Sequence, residues 1–200
     1  VRDIPLERLD CSHNKIKNLS PLIRVPLKQL DCSFNQIETL RFLEGMSLEK
    51  LNCAGNKLKN LGFYMQNPPE AFLFEHNKFK DSYLKKLVKT WNDTKQYLKF
   101  ARKAEQILAI KKKDVKKLKS MGKKYKGNIY LKVQILEKFK DAERIAKGLG
   151  GHLVVIEDEK ENAFIDNIIK EEKHGFWIGL TLKDEKMRWG DGKIIGDRVH

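Results

Sequence analysis

The sequence predicts an α/β solenoid joined by a basic helical linker to a partial α+β module. Three observations predict it. Asn14, Asn35, Asn56 and Asn77 stand 21 residues apart within one recurring phrase; positive charge gathers in the middle of the chain; and after Tyr125 the pattern reads strand, helix, strand, helix, strand. A repeat of 20–30 residues marks a solenoid, because each unit leaves an apolar face that only its neighbours cover. The boundaries read from sequence are 1–80 for the repeats, 81–126 for the linker and 127–200 for the second module.

The phrases are LERLDCSHNKI, LKQLDCSFNQI, LEKLNCAGNKL and the degenerate PEAFLFEHNKF. Aligned on the asparagines, Leu6, Leu27 and Leu48 form one column, and Leu9, Leu30, Leu51 and Phe72 the next. Cys11, Cys32, Cys53 and Phe74 follow, then Ile16, Ile37, Leu58 and Phe79; Leu19, Leu40 and Leu61 close the unit. This pattern, L-x-x-L-x-L/C-x-x-N-x-L, resembles the leucine-rich repeat family, with three full matches and one partial match.

The alternation Leu9, Asp10, Cys11, Ser12 is that of a strand with Leu9 and Cys11 inward and Asp10 and Ser12 outward. Each repeat thus supplies one short parallel strand. The asparagine amide both donates to and accepts from backbone, so Asn14, Asn35, Asn56 and Asn77 are expected to stack as a structural ladder. The outward positions form the candidate binding face: Arg8, Gln29 and Lys50, then Asp10, Asp31 and Asn52, then Ser12 and Ser33, with Phe34 as the exposed aromatic beside them. This polar mixture specifies no ligand, and a solvated face is the competing reading.

The three cysteines share the inward column, where a free thiol packs as a small apolar group. Their number is odd and they lack CxxC spacing, so all three are expected to be buried, reduced and without metal.

Between Asp81 and Gly127 there are 16 Lys or Arg against 4 Asp or Glu, which accounts for +12 of the chain's net +14. Leu84, Leu87, Val88 and Trp91 follow the spacing of an amphipathic helix, suited to cover the last repeat. Asn92-Asp93-Thr94 interrupts it, and a second helical stretch carries Leu98, Ala101, Ala104 and Leu108. KKKDVKKLK and GKKYKG read alternatively as a nucleic-acid or anionic-surface patch. They lack the interleaved aromatics that stack on bases.

In the second module Phe139, Ala142, Ile145, Ala146 and Leu149 lie on one helical face that stops at Gly150-Gly151. His152–Ile156 reads as a buried strand. Asp158 with Glu161 forms a capping box for a helix burying Phe164, Ile165, Ile168 and Ile169. The motifs DAERIAKGLGGHLVVIEDEKENAFI, WIGL (Trp177–Leu180) and WGDG (Trp189–Gly192) resemble the first half of a C-type lectin-like domain. Ala146 stands where that family usually has the first cysteine of its long disulfide, so the resemblance implies no such bridge. The family's calcium and sugar ligands form an E-P-N or Q-P-D triplet and a W-N-D triplet after W-x-D-G, beyond His200. Trp91-Asn92-Asp93 precedes the domain on a helical stretch and is a coincidence. Both ends read as cut from a longer protein.

His13, His76, His152, His174 and His200 are scattered, and Glu157, Asp158, Glu159 and Glu161 complement a helix dipole. The sequence therefore predicts no catalytic residues, no metal site and no cofactor. It predicts a non-enzymatic recognition protein of bacterial type with a protein partner, carbohydrate being expected only of a complete lectin-like domain. The alternatives are nucleic-acid or anionic-surface binding through 81–126, and a targeting appendage of a larger signalling enzyme such as a kinase. No apolar run reaches the length of a membrane span, and localisation stays undetermined.

Overall fold

The computed structural model describes residues 5–133 and 139–170, and the backbone of 180–183 and 186–189. Four short strands, β1 (Arg8–Asp10), β2 (Gln29–Asp31), β3 (Lys50–Asn52) and β4 (Ala71–Leu73), form one parallel sheet in chain order. Their register is offset by the repeat itself: Leu9 pairs with Leu30, Leu30 with Leu51, and Leu51 with Phe72. Identical columns therefore stack side by side. Tight 3₁₀ turns at Ser20–Leu22, Arg41–Leu43 and Gly62–Met65 return the chain between strands.

Two helices follow, α1 (Asp81–Asn92) and α2 (Leu98–Lys111). Leu84, Leu87 and Trp91 of α1 are fully buried, in one apolar cluster with Phe72, Phe74, Phe79 and Phe100. The indole Nε1 of Trp91 donates to the Met65 carbonyl at 2.7 Å, and the Leu61 N–H donates to Tyr83 Oη at 2.8 Å. Hydrogen bonds to side chains thus tie α1 to the last 3₁₀ turn of the repeats. From α2, Phe100, Ala101 and Ala104 join this core, whereas Leu98 is 49% exposed. Leu98 opens the helix on its outer side, which corrects its assignment to the apolar face.

The first compact unit consequently runs to Leu108 and the second begins at Ala109. The sequence boundaries at 80 and 126 follow charge; packing follows the apolar stripe, which carries α1 and most of α2 with the repeats.

In the second unit α3 (Val115–Met121) is capped by Asp114, whose carboxylate accepts the Lys117 N–H at 2.9 Å. An antiparallel hairpin, β5 (Lys123–Tyr125) and β6 (Asn128–Tyr130), turns through Lys126 and Gly127, both with positive φ. Then come α4 (Phe139–Gly148), α5 (Glu159–Ile169) and a hairpin of β7 (Leu180–Lys183) and β8 (Lys186–Trp189). No strand forms over His152–Ile156, contrary to expectation, although Val155 is buried; no described segment offers a ladder partner beside it. The capping box also differs in detail. Asp158 accepts the Glu161 N–H at 2.8 Å, but Glu161 accepts from the Glu157 N–H, one residue earlier than the usual partner.

The hairpin β5–β6 docks on α5. Tyr125 stacks on Phe164 at 4.5 Å, Tyr130 meets the same ring edge-on, Lys126 pairs with Asp158 at 2.6 Å, and the Tyr130 hydroxyl donates to Glu161. Burial first, and the neighbouring Glu161 next, push the Tyr130 phenol up to about 12. Residues Phe176–Gly179, Gly190–Gly192, His174 and His200, which the sequence reading singled out, lie outside the described residues.

Candidate binding face

The parallel register lines up the polar side chains of the repeats in rows. Arg8, Gln29 and Lys50 form one row across three strands, and Asp10, Asp31 and Asn52 the next. Arg8, Asp10 and Lys50 are exposed; Gln29, Asp31 and Asn52 are half-buried. Within the second row Asn52 Nδ2 donates to Asp31 Oδ2 at 2.8 Å. Each of these side chains also bends forward onto its own strand end: Asp10, Asp31 and Asn52 accept the N–H of Ser12, Ser33 and Ala54 respectively. For Asp10 that bond, then the Ser12 hydroxyl, holds the carboxyl below its usual range.

The third row departs from expectation. Ser12 is half-buried, but Ser33, Ala54 and Glu75 are 3%, 0% and 1% exposed. Ser33 therefore leaves the candidate face, its hydroxyl donating to Asp31 Oδ1 at 2.6 Å. The strands end two residues earlier, and the Asx turn rotates this position inward. At Glu75 the inward carboxylate is matched by Lys103 of α2 at 3.0 Å, with both side chains buried, and accepts the Phe74 N–H.

The next column carries the most unusual backbone of the sheet. His13, Phe34, Gly55 and His76 all have φ between 52° and 66°, a region that disfavours bulky side chains. His13 and Phe34 stack face to face at 4.6 Å. A Cβ on Gly55 would come within 2.6 Å of the Phe34 ring, so the missing side chain gives that ring its seat. Phe34 remains 37% exposed. Sequence reasoning found Phe34 but missed His13; the sign was its place one residue before Asn14, matching Phe34 before Asn35.

Behind the face, each inner asparagine bridges repeats. Asn35 Nδ2 donates to the Cys11, Cys32 and Ser33 carbonyls, and its Oδ1 accepts the Ile16 N–H at 2.9 Å. Asn56 and Asn77 reproduce the set one and two repeats on. Asn14 is exposed and, among the described residues, donates within its own repeat, to Cys11 and Ser12. Cys32 and Cys53 are buried free thiols, but Cys11 is only half-buried, a correction to the uniform column. Burial pushes all three thiols up.

Among the described residues no group of three or more His, Cys, Asp or Glu is arranged to hold a metal ion, and no helix is long and apolar enough to cross a membrane.

The described fold is a parallel sheet of short repeat strands followed by a mixed helix and strand unit. Comparison with known families agrees at both ends: residues 6–45 match Leucine Rich repeats (2 copies), and residues 135–196 match the Lectin C-type domain. Among curated proteins, a perlucin-like protein of Mytilus galloprovincialis is 38% identical over 79 residues, covering 38% of this chain and 48% of the relative. Killer cell lectin-like receptor subfamily B member 1B allele A of Rattus norvegicus is 40% identical over 50 residues, covering 24% and 22%. Snaclec 6 of Daboia siamensis is 34% identical over 73 residues, covering 34% and 51%. The chain spans about half or less of the length of these relatives. No solved structure matches it significantly. The chain thus combines a leucine-rich repeat match with a C-type lectin match in separate stretches.

Proposed function

We propose that the chain is a non-enzymatic recognition protein whose repeats stack as a short solenoid and bind a protein partner. The binding face is made of Arg8, Asp10, Gln29, Asp31, Lys50 and Asn52, with the His13–Phe34 stack at its margin. The observation that carries this reading is the register: one 21-residue offset aligns exposed or half-exposed polar side chains of three consecutive repeats, beside an aromatic pair held on strained backbone. Strained, exposed positions of this kind cost stability and concentrate where a surface is used. Arginine and aromatic side chains are the residue types that carry binding energy at interfaces. The C-terminal unit, which carries the lectin-domain match, is read as a ligand-binding module.

Photo-crosslinking side chains placed at Gln29 and Lys50 test the face against Glu38 and Lys59, which are exposed beyond the strand ends. Crosslinks to one partner species from positions 29 and 50, lost in Phe34→Ser, are expected. Equal crosslinking from all four positions would remove the face from consideration.

A further inference from the structure

Between Lys111 and Lys126 every cation is a lysine, and the acid within this stretch, Asp114, is committed to capping α3. The fold arranges part of this charge around one exposed apolar side chain. In the β5–β6 ladder Lys123 pairs with Tyr130, Lys124 with Ile129 and Tyr125 with Asn128. Cross-strand partners share a face, so Tyr125 and Tyr130 occupy the face that stacks on Phe164, whereas Lys124 and Ile129 point the other way. Ile129 is 40% exposed. It lies over Gly122, where a Cβ would come within 2.5 Å of Ile129 Cγ2. Gly122 ends α3 on the row that carries Lys116 and Lys119 at spacings of three, which are neighbours on a helix. Lys116, Lys119 and Lys124 are exposed and have no ion pair among the described residues. The result is an exposed isoleucine that shares its hairpin face with Lys124 and lies at the end of the helix that carries Lys116 and Lys119.

We propose that this patch, Lys116, Lys119, Lys124 and Ile129, docks on the anionic surface of a phospholipid bilayer. Lysine heads meet lipid phosphates and carboxylates, and Ile129 enters the headgroup boundary, where an aliphatic side chain gains by leaving water. Nucleic acid fits less well. The aromatic rings of this hairpin are consumed against Phe164, so none is offered for base stacking, and an aliphatic knob has no counterpart on a phosphate backbone.

The test uses the full chain with vesicles of phosphatidylcholine alone and of phosphatidylcholine mixed with phosphatidylserine, followed by co-sedimentation. Binding is expected only to the mixed vesicles and is expected to weaken with salt. The triple variant Lys116→Glu, Lys119→Glu, Lys124→Glu should bind about 100-fold more weakly, since each lysine near such a surface contributes roughly five-fold. Ile129→Ser should lose about five-fold on vesicles and nothing on heparin or a random DNA duplex. Circular dichroism matching the parent chain shows that the hairpin survives these exposed changes. Absence of binding to phosphatidylserine vesicles at low salt overturns the proposal. So does tighter binding to the duplex with Ile129→Ser indifferent on vesicles, which would reassign the patch to nucleic acid.

Discussion

The two ends of the repeat sheet are built on the same period and meet different neighbours. At the β4 end, Phe72, Phe74 and Phe79 are covered by Leu84, Leu87 and Trp91, all at most 4% exposed. At the β1 end, Leu6 is 47% exposed, against 2% for Leu27 and 7% for Leu48 in the same column. Leu9, Cys11 and Ile16 are half-buried where Leu30, Cys32 and Ile37 are buried. Asn14 bonds within its own repeat where Asn35, Asn56 and Asn77 each reach back one repeat. In a stacked array, then, a residue's burial belongs to the interface it shares with the next unit.

That comparison is easiest to break at the covered end. Trp91→Ala removes a fully buried indole and its bond to the Met65 carbonyl, and should cost about 3–5 kcal/mol. Leu6→Ala, at a side chain 47% exposed, should stay within about 0.5 kcal/mol. Urea unfolding of both variants reads the difference, and similar midpoints would mean that α1 does not cover the sheet.

The buried pair between Glu75 and Lys103 sharpens the same point. Lys103→Met removes the cation paired with the buried carboxylate and should destabilise by roughly 3 kcal/mol, whereas Lys103→Met with Glu75→Leu should recover much of the loss. A double variant no more stable than the single one would show that the pair is not what holds α2 on β4.

The asparagines separate the ends by a smaller margin. Asn56→Ala leaves the Ile37 N–H unpaired in the interior and takes one of two donors from each of the Cys32, Cys53 and Ala54 carbonyls, at about 1–3 kcal/mol. Asn14→Ala, with its bonds exposed, should fall within about 0.5 kcal/mol. Thermal melts of the pair give the ranking, and equal shifts would dissolve the distinction between inner and outer repeats.

The smallest effects lie beside β1. The Asp10 carboxyl is held below its usual range, so its contribution is present above the unfolded value, near 4, and is lost as pH falls through the folded value. Asp10→Ala should therefore melt slightly below the parent at neutral pH and together with it at about pH 2. A gap that persists in acid would assign the effect to packing. Thiol labelling of the native chain should likewise modify Cys11 first and reach Cys32 and Cys53 only on unfolding. Equal rates would contradict the graded burial.

Much of this was legible in advance because it depends on period alone. The inward leucines, the parallel register and the covering role of Leu84, Leu87 and Trp91 follow from apolar spacing. The polar rows of the face follow from the same alternation as far as Asp10, Asp31 and Asn52. Ser33 was misassigned because alternation holds only while the strand lasts, and an Asx turn ends it at Asp31. His13 went unnoticed because its place before Asn14, matching that of Phe34 before Asn35, shows the shared column but not the stacking of the two rings.

By itself the sequence determined the repeat, the strands it builds, the residues that face inward and the excess of charge in the middle, because these are local periodicities. Tertiary structure decided which copies of a column are buried, that α1 and α2 belong with the repeats, that Glu75 finds Lys103, and that Ile129 stands among lysines. Those outcomes depend on contacts between residues far apart in the chain, and identical residue types give different answers according to what packs against them.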